Sequence, residues 1–169
     1  MTKIKYGILF VVLVLLQVTF LSNINLAGYV NPFLYIYFIL VLPLQTSRLQ
    51  LLLLSTALGL SIDIFLNTPG LHTFATVFVA YFRNVFIYRT IPEGEIESLN
   101  GLTVYETGFW NYIKYAGSLT AVHHFLLYFL ETFRLSGVLN VLINTIYSTL
   151  FTLILILLIQ LLFVEKVKK

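Results

Sequence analysis

Six apolar runs, separated by short turns and one longer polar connection, cover most of this 169-residue chain. A membrane-spanning helix needs about 20 apolar residues, with a range of roughly 17–25, and backbone amides in lipid must be paired within a helix or a closed barrel. The runs are too long and continuous for barrel strands, so the sequence predicts an all-α integral membrane protein that forms a six-transmembrane-helix bundle. The predicted spans are Ile4 to Leu21, Val30 to Leu44, Leu49 to Leu66, Leu71 to Tyr88, Tyr112 to Phe133 and Val138 to Val164.

The composition agrees with a protein whose surface lies mostly in lipid. Hydrophobic residues make up 59% of the chain and charged residues 10%, whereas a soluble domain has about 25% charged residues. The lack of cysteine excludes disulfides and thiolate metal sites. We therefore interpret residues 1–169 as a single transmembrane domain, and the first run as a retained helix rather than a cleaved signal peptide.

The second run is the weakest span, because it is short and contains Pro32 near its start and Pro43 near its end. Proline is tolerated in the first turn of a helix and disrupts a helix interior. Both prolines are therefore interpreted as boundary marks, and a helical span is predicted between them.

Basic residues are distributed unequally between the two ends of the predicted spans. Six spans place nine of the 10 Lys and Arg residues on the side of the termini, and Arg134 on the opposite side. The nine are Lys3, Lys5, Arg48, Arg83, Arg89, Lys114, Lys166, Lys168 and Lys169. Cytoplasmic loops are enriched in Lys and Arg, so the pattern predicts a multi-pass protein of the bacterial inner membrane with both termini in the cytoplasm.

The longest connection between predicted spans, residues 89–111, falls on the cytoplasmic side. It contains the glutamates Glu93, Glu95, Glu97 and Glu106. The connection is too short for an independent domain. We expect a solvated loop, with contact to a cytoplasmic partner as the alternative.

The third span carries a stripe of small and polar residues that ends in an acid. Its members recur every four residues and therefore share one helix face; they are Ser55, Gly59, Asp63 and Asn67. Gly70 follows in a tight turn, and His72 follows at once, so Asp63 and His72 are predicted to lie at similar depth and to pair. We expect a structural pair that fixes the hairpin; a proton or ligand site and a partner contact are the alternatives.

The fifth span has a second polar face, formed by Gly117, Ala121, His124, Tyr128 and Glu131. His124 is predicted to be a hydrogen-bonded histidine in the bundle, and Glu131 a buried polar residue that pairs with Arg134. The adjacent His123 cannot share the face of His124. Two-histidine metal sites on a helix use a spacing of three or four residues, so a metal site is not expected.

The sixth span has a stripe of amides and hydroxyls at the same four-residue spacing: Asn140, Asn144, Ser148 and Thr152. Such a stripe is suited to hold another transmembrane helix, either from this chain or from a partner. Arg83 lies inside the cytoplasmic end of the fourth span and is expected to snorkel to the interface. A contact with a lipid phosphate is the alternative for Arg83.

Motifs for catalysis are missing from the sequence. It has no glycine-rich phosphate loop, no histidine-acid metal motif and no serine-elbow pattern. The acids within the predicted spans, Asp63 and Glu131, lie on separate helices. We therefore predict that the protein is not an enzyme and that it has no cofactor.

Four short motifs resemble the MreD family of rod shape-determining proteins, and most closely its members in the Bacteroidetes. They are Pro43-Leu44-Gln45, Leu58-Gly59-Leu60-Ser61-Ile62-Asp63, Thr68-Pro69-Gly70-Leu71-His72 and Ala80-Tyr81-Phe82-Arg83. The matching stretch covers residues 43–92. Length, number of spans and the basic C-terminus are similar over the rest.

The resemblance implies a scaffold of the bacterial cell-elongation machinery that helps control rod shape and lateral peptidoglycan synthesis. It implies binding to the transmembrane helix of MreC, a link to RodA, penicillin-binding protein 2 and MreB, and a fold like the substrate-binding subunits of energy-coupling factor transporters. Asp63, Gly70 and Arg83 match recurrent positions of the family and are the residues expected to shape the scaffold.

Two other functions stay open at this point. A solute-binding membrane subunit of a transporter would use Asp63, Asn67 and His72 as an outward-facing site. A lipid-modifying or intramembrane hydrolytic enzyme would need an Asp63–His72 pair close to His124.

Overall fold

The computed structural model describes residues 3–24, 30–97, 99, 101–133 and 137–164. Five long helices are present in these ranges: α1 (Lys3–Thr19), α3 (Arg48–Leu66), α4 (Leu71–Thr90), α7 (Phe109–Thr132) and α8 (Val138–Phe163). The short elements are the helices α2 (Tyr37–Val41), α5 (Glu93–Ile96) and α6 (Val104–Thr107), and 3-10 turns over Leu21–Asn23 and Leu34–Ile36. No β-strand occurs within the described ranges, which confirms the predicted all-α class.

Three helical stretches are long and apolar enough to cross a membrane: Ile4–Asn23, Arg48–Leu66 and Val138–Phe163. Large apolar side chains are exposed along them, among them Ile8 of α1, Ile64 of α3 and Ile154 of α8. Contiguous exposed apolar surface of this kind marks contact with lipid or with another protein. The described chain is therefore that of an all-α membrane protein.

Residues 30–44, predicted as the second span, do not form one continuous helix. The 3-10 turn over Leu34–Ile36 leads directly into α2, and the helix stops at Leu42, where the backbone becomes extended (φ −57°, ψ 144°). The prediction of a continuous helix over this span is wrong at both ends: Phe33 is not helical (φ −107°, ψ 70°), and Leu42 before Pro43 avoids the α conformation. The chain between Pro32 and Pro43 is also too short to cross about 30 Å at 1.5 Å per residue as a helix.

Residues 31–42, which we name the central segment, are the most buried part of the protein. Every side chain from Leu34 to Leu42 is buried, and Tyr35, Ile36, Ile39 and Leu40 have no exposed surface. Irregular backbone at membrane depth is tolerated only where protein covers it or where it lines a cavity. The bundle therefore forms around this segment.

Contacts at its two ends give the direction of the central segment. Asn31 lies beside Ser148, and Tyr37 lies beside Gln160, so the segment runs parallel to α8. Contacts at both ends also show that the central segment runs parallel to α4. The corresponding contacts show that it runs antiparallel to α1 and α7. The long helices and the central segment thus alternate in direction along the described chain.

The helices α3 and α4 form a tight antiparallel hairpin. A Cβ added to Gly59 would lie 2.4 Å from the Cα of Thr73 and 2.5 Å from the hydroxyl of Thr76, so glycine permits this approach. Asn67 ends α3 in the left-handed conformation (φ 54°), and Gly70 adopts φ 80° before α4 begins. The predicted turn is therefore confirmed.

The connection between α4 and α7 packs on the end of the bundle. Its apolar residues Ile91, Leu99 and Leu102 are buried, and the N–H of Val104 donates to Oε1 of Gln160 in α8 (3.3 Å). The expectation of a solvated loop holds only for the exposed glutamates of the α5 region. The reason is that the apolar residues between them cover the end of the core.

We expect Gly59→Ala to destabilise the protein by about 1–3 kcal/mol, because overpacking forces the backbones of α3 and α4 apart. Thermal unfolding in detergent measures the effect. Gly7→Ala in α1 is the matched control, since a Cβ there meets nothing within 4 Å. Equal stability of the two variants would contradict the close approach of α3 and α4.

Candidate functional site

Buried polar side chains converge on the central segment, and they form the candidate site. A short helix leaves unpaired N–H groups at its start and unpaired carbonyls at its end. In a membrane these groups have no water to pair with. Side chains from α1, α4, α7 and α8 supply the missing partners.

At the start of the central segment, side chains from two helices bind the backbone, and a third helix joins them through a side chain. Nε2 of Gln17 in α1 donates to the carbonyl of Pro32 (2.9 Å). In α8, the hydroxyl of Ser148 accepts from the N–H of Asn31 (3.0 Å). Tyr128 of α7 shares a hydrogen bond with the same Ser148 hydroxyl (2.6 Å), which connects α7 to this end.

At the end of the central segment, Arg83 of α4 occupies the protein interior with no exposed surface. Its Nη2 donates to the carbonyl of Leu42, and its Nε donates to the hydroxyl of Tyr115 in α7 (3.0 Å). Tyr115 in turn donates to the carbonyl of Leu40 (3.1 Å). The expectation that Arg83 snorkels to the interface is wrong, because the carbonyls of Leu40 and Leu42 at the end of α2 need donors inside the bundle.

Two histidines meet at the hydroxyl of Tyr35. This hydroxyl lies 2.7 Å from Nδ1 of His72 and 2.9 Å from Nε2 of His123. One hydroxyl donates a single hydrogen bond, so it donates to one ring and accepts from the other. Nδ1 of His123 has no partner, so we assign the proton of that ring to Nε2. With this assignment, Nε2 of His123 donates to the hydroxyl of Tyr35, and that hydroxyl donates to Nδ1 of His72.

His124 is fully buried, as predicted, and faces α8 rather than Tyr35. Its Nδ1 lies 2.8 Å from the carbonyl of Thr120, which accepts the ring proton. Nε2 then accepts from the hydroxyl of Thr152 (3.1 Å), and that hydroxyl accepts from the N–H of Phe33 (3.3 Å). The separation of His123 and His124 onto two faces is confirmed.

Asp63 binds the start of α4 through both carboxylate oxygens. Oδ1 accepts from the N–H of His72 (3.0 Å) and the hydroxyl of Thr68 (2.5 Å). Oδ2 accepts from the N–H (2.8 Å) and the hydroxyl (2.6 Å) of Thr73. Asp63 and His72 are therefore adjacent as predicted, but the carboxylate contacts the backbone of His72 and not its ring. A carboxylate is favoured there by the positive end of the α4 dipole.

The two predicted stripes are only partly buried. On α3, Ser55, Gly59 and Asp63 face α4, whereas Asn67 is exposed where the helix ends. On α8, Ser148 and Thr152 are buried against the central segment. Asn140 is exposed, and Asn144 is half-buried with an amide oxygen that lacks a partner.

The predicted polar face of the fifth span is correct except at its end. Gly117 lies against Leu153 of α8, and His124 and Tyr128 also contact α8. Glu131, however, is exposed, so the prediction that it is buried is wrong. It lies in the last turn of α7, beyond the contact with α8; its expected partner Arg134 is outside the described residues.

Several residues of this network were not identified from the sequence. Gln17 is the one amide in its apolar run, and Gln160 is a lone amide near the end of another. An isolated amide in an apolar span is the signal that marks both. Tyr35 and Tyr115 carry no such signal, because tyrosine is common in membrane spans.

The arrangement holds helices together through paired side chains, with Nδ1 of His123, Nη1 of Arg83 and Oε1 of Gln17 among the buried atoms that have no partner. Asp63 has four donors on its oxygens, and Tyr35 connects His72 to His123. Within the described ranges, no group of three or more His, Asp or Glu residues is placed to hold a metal ion. The network can therefore fix the positions of α3, α4, α7 and α8 around the central segment.

Comparison with known proteins gives no match: no family model, no curated protein and no solved structure is similar to this chain.

We expect Asp63→Asn to lower the free energy of unfolding. The amide has only one acceptor oxygen, and its NH₂ group would face the N–H and O–H donors that now bind the second carboxylate oxygen. Asp63→Leu should cost more, since it leaves buried donors unpaired at about 1–3 kcal/mol each. Thermal unfolding in detergent measures both. Glu131→Gln, an exposed acid near the end of α7, is the control; wild-type stability in both Asp63 variants would contradict the role given to Asp63.

We expect Tyr115→Phe to destabilise the protein by about 1–3 kcal/mol, because the change leaves the carbonyl of Leu40 and Nε of Arg83 without partners. Tyr88→Phe is the matched control, since Tyr88 of α4 is 62% exposed. The difference in melting temperature between the two variants is the measurement. No difference would mean that the hydroxyl of Tyr115 does not support the central segment.

Proposed function

We propose that the chain is a non-enzymatic, multi-pass scaffold of the bacterial inner membrane, of the MreD type, which binds the transmembrane helix of MreC. The resemblance over residues 43–92 suggests the type. In this proposal the scaffold connects the elongation machinery, including RodA, penicillin-binding protein 2 and MreB, and so helps control rod shape and lateral peptidoglycan synthesis.

The proposed topology has six passes, the second formed by residues 30–44 as a short helical part with non-helical backbone on both sides. Support comes from the alternation in direction of α1, the central segment, α3, α4, α7 and α8. With six passes, the basic residues Lys5, Arg48, Arg89 and Lys114 lie on the cytoplasmic side, in agreement with the positive-inside rule. A six-pass bundle of this kind is what the proposed likeness to energy-coupling factor substrate-binding subunits requires.

The observation that supports the proposal is that Asp63 and His72 are paired within the protein. A solute site at Asp63, Asn67 and His72 would need groups that are available to a ligand. Asp63 already accepts four hydrogen bonds, and the ring of His72 is hydrogen-bonded to Tyr35. Asn67 is exposed at the end of α3. This favours a scaffold over the alternative, a solute-binding membrane subunit of a transporter.

The surface proposed for the partner helix is the N-terminal part of α8. Asn140 is exposed there, whereas Asn144 is half-buried and its unpaired amide oxygen lies inside the protein. The neighbouring side chains Leu139 and Ile146 are apolar and exposed. An amide on a lipid-facing surface is unfavourable unless a second helix binds it, so this surface suits a transmembrane helix with polar groups at matching depth.

We expect the double variant Asn140→Leu/Asn144→Leu to lose co-purifying MreC, by about threefold per amide, because interhelical hydrogen bonds in membranes average about 0.6 kcal/mol. The measurement is a gentle-detergent pull-down of tagged protein from its native membrane, followed by quantitative mass spectrometry. The matched control is Thr19→Leu, which replaces an exposed polar residue of α1 with leucine.

Each outcome of this pull-down has a definite meaning. Recovery of MreC and the wall synthases with wild-type protein supports the scaffold, and their selective loss with the double variant supports the α8 surface. Recovery of a cytoplasmic ATPase and a membrane coupling subunit instead would contradict the scaffold and favour the transporter alternative.

A further inference from the structure

A groove of about 840 Å³ lies between α1, α3 and the end of the central segment. Its walls include Phe10 of α1, Phe38 of the central segment, and Leu53, Leu54 and Ala57 of α3. The volume is within the range of roughly 300–1,000 Å³ that small-molecule sites occupy. Because these walls are apolar, an apolar occupant is favoured over water.

The depth of the groove matches one leaflet of a membrane. Its lining on α3 extends from Gln50 to Ala57, which is about 10 Å along a helix that rises 1.5 Å per residue. Its lining on α1 extends only from Tyr6 to Phe10. The hydrocarbon core is about 30 Å thick, so one leaflet contributes about 15 Å. A transmembrane partner helix would need a contact along both leaflets, whereas a lipid needs only one.

The mouth of the groove is polar and is flanked by positive charge. Gln45, Thr46 and Gln50 line the mouth. The exposed Lys5 precedes the lining residue Tyr6 in the chain, and the exposed Arg48 lies between Thr46 and Gln50. None of the described lining residues is acidic. Basic residues at this depth attract anionic lipid headgroups.

A third positive charge lies behind the wall of the groove. Leu42 lines the groove, and its carbonyl accepts from the buried guanidinium of Arg83. Nη1 of Arg83 has no hydrogen-bond partner in the described chain. In surroundings of low dielectric constant this charge acts over a longer distance than it would in water, and it adds to the preference for an anion at the mouth.

We propose that this groove binds an anionic phospholipid, with an acyl chain between α1 and α3 and the phosphate beside Lys5 and Arg48. The site is independent of the proposed scaffold function, because it uses a different surface from the α8 amides. A bound lipid would fill the space between α1 and α3, which pack together less closely than α3 and α4.

Filling the groove tests the binding of the acyl chain. A Cβ at Gly7 meets nothing within 4 Å, and Gly7 lines the groove, so Gly7→Phe should fold and occupy the space. Native mass spectrometry of protein released from nanodiscs with equal phosphatidylglycerol and phosphatidylcholine counts the retained lipid. We expect one retained phosphatidylglycerol in the wild type and in Gly94→Phe, a control outside the groove, and none in Gly7→Phe.

Removing charge tests the headgroup. In Lys5→Gln/Arg48→Gln, the preference for phosphatidylglycerol over phosphatidylcholine should fall by roughly fivefold per charge, the effect of one basic residue near an anionic surface. Arg89→Gln/Lys114→Gln removes the same charge from exposed positions that are distant in the chain from every residue lining the groove, and should keep the preference. Melting temperatures show that each variant is folded.

Three results would overturn the proposal: no retained lipid in the wild type, equal retention in Gly7→Phe and Gly94→Phe, or equal headgroup preference in the two charge variants. A photo-cross-linking amino acid at Leu53, in native membranes, identifies the occupant directly. A lipid adduct supports the proposal, and an adduct with a polypeptide overturns it.

Discussion

The fold depends on hydrogen bonds that buried side chains make to the backbone ends of the central segment. A short helix between two prolines leaves N–H and carbonyl groups unpaired, and lipid offers them no partners. Gln17, Ser148 and Thr152 bind one end, and Arg83 and Tyr115 bind the other. Because these five side chains come from four helices, the same bonds also set the positions of those helices.

This constraint changes the interpretation of the ionisable residues. A buried arginine or histidine in a membrane protein is a functional candidate until its partners are known. Here Arg83 and His124 have partners within the chain, and Asp63 holds the start of α4. The functional surfaces proposed above are therefore on the outside of the bundle, at Asn140 of α8 and along the groove between α1 and α3.

The sequence was sufficient for the long helices and insufficient for the interior. The predicted spans 49–66 and 71–88 differ little from α3 and α4, because apolar length and the turn at Gly70 are local signals. The burial of Arg83 was not predictable, since it depends on the carbonyl of Leu42, which is distant in sequence. Helix periodicity also could not show that Glu131 lies beyond the packed part of α7.

The most direct test of the central segment is cysteine cross-linking, for which this chain has no native cysteine to remove. Phe38→Cys should cross-link to Phe10→Cys in α1, since the two rings lie 5.3 Å apart, and Asn31→Cys should cross-link to Ser148→Cys in α8. Phe38→Cys paired with the lipid-facing Ile64→Cys should not react. Cross-linking of both contact pairs in native membranes is the predicted result. Failure of both pairs in folded protein would contradict a bundle built around this segment.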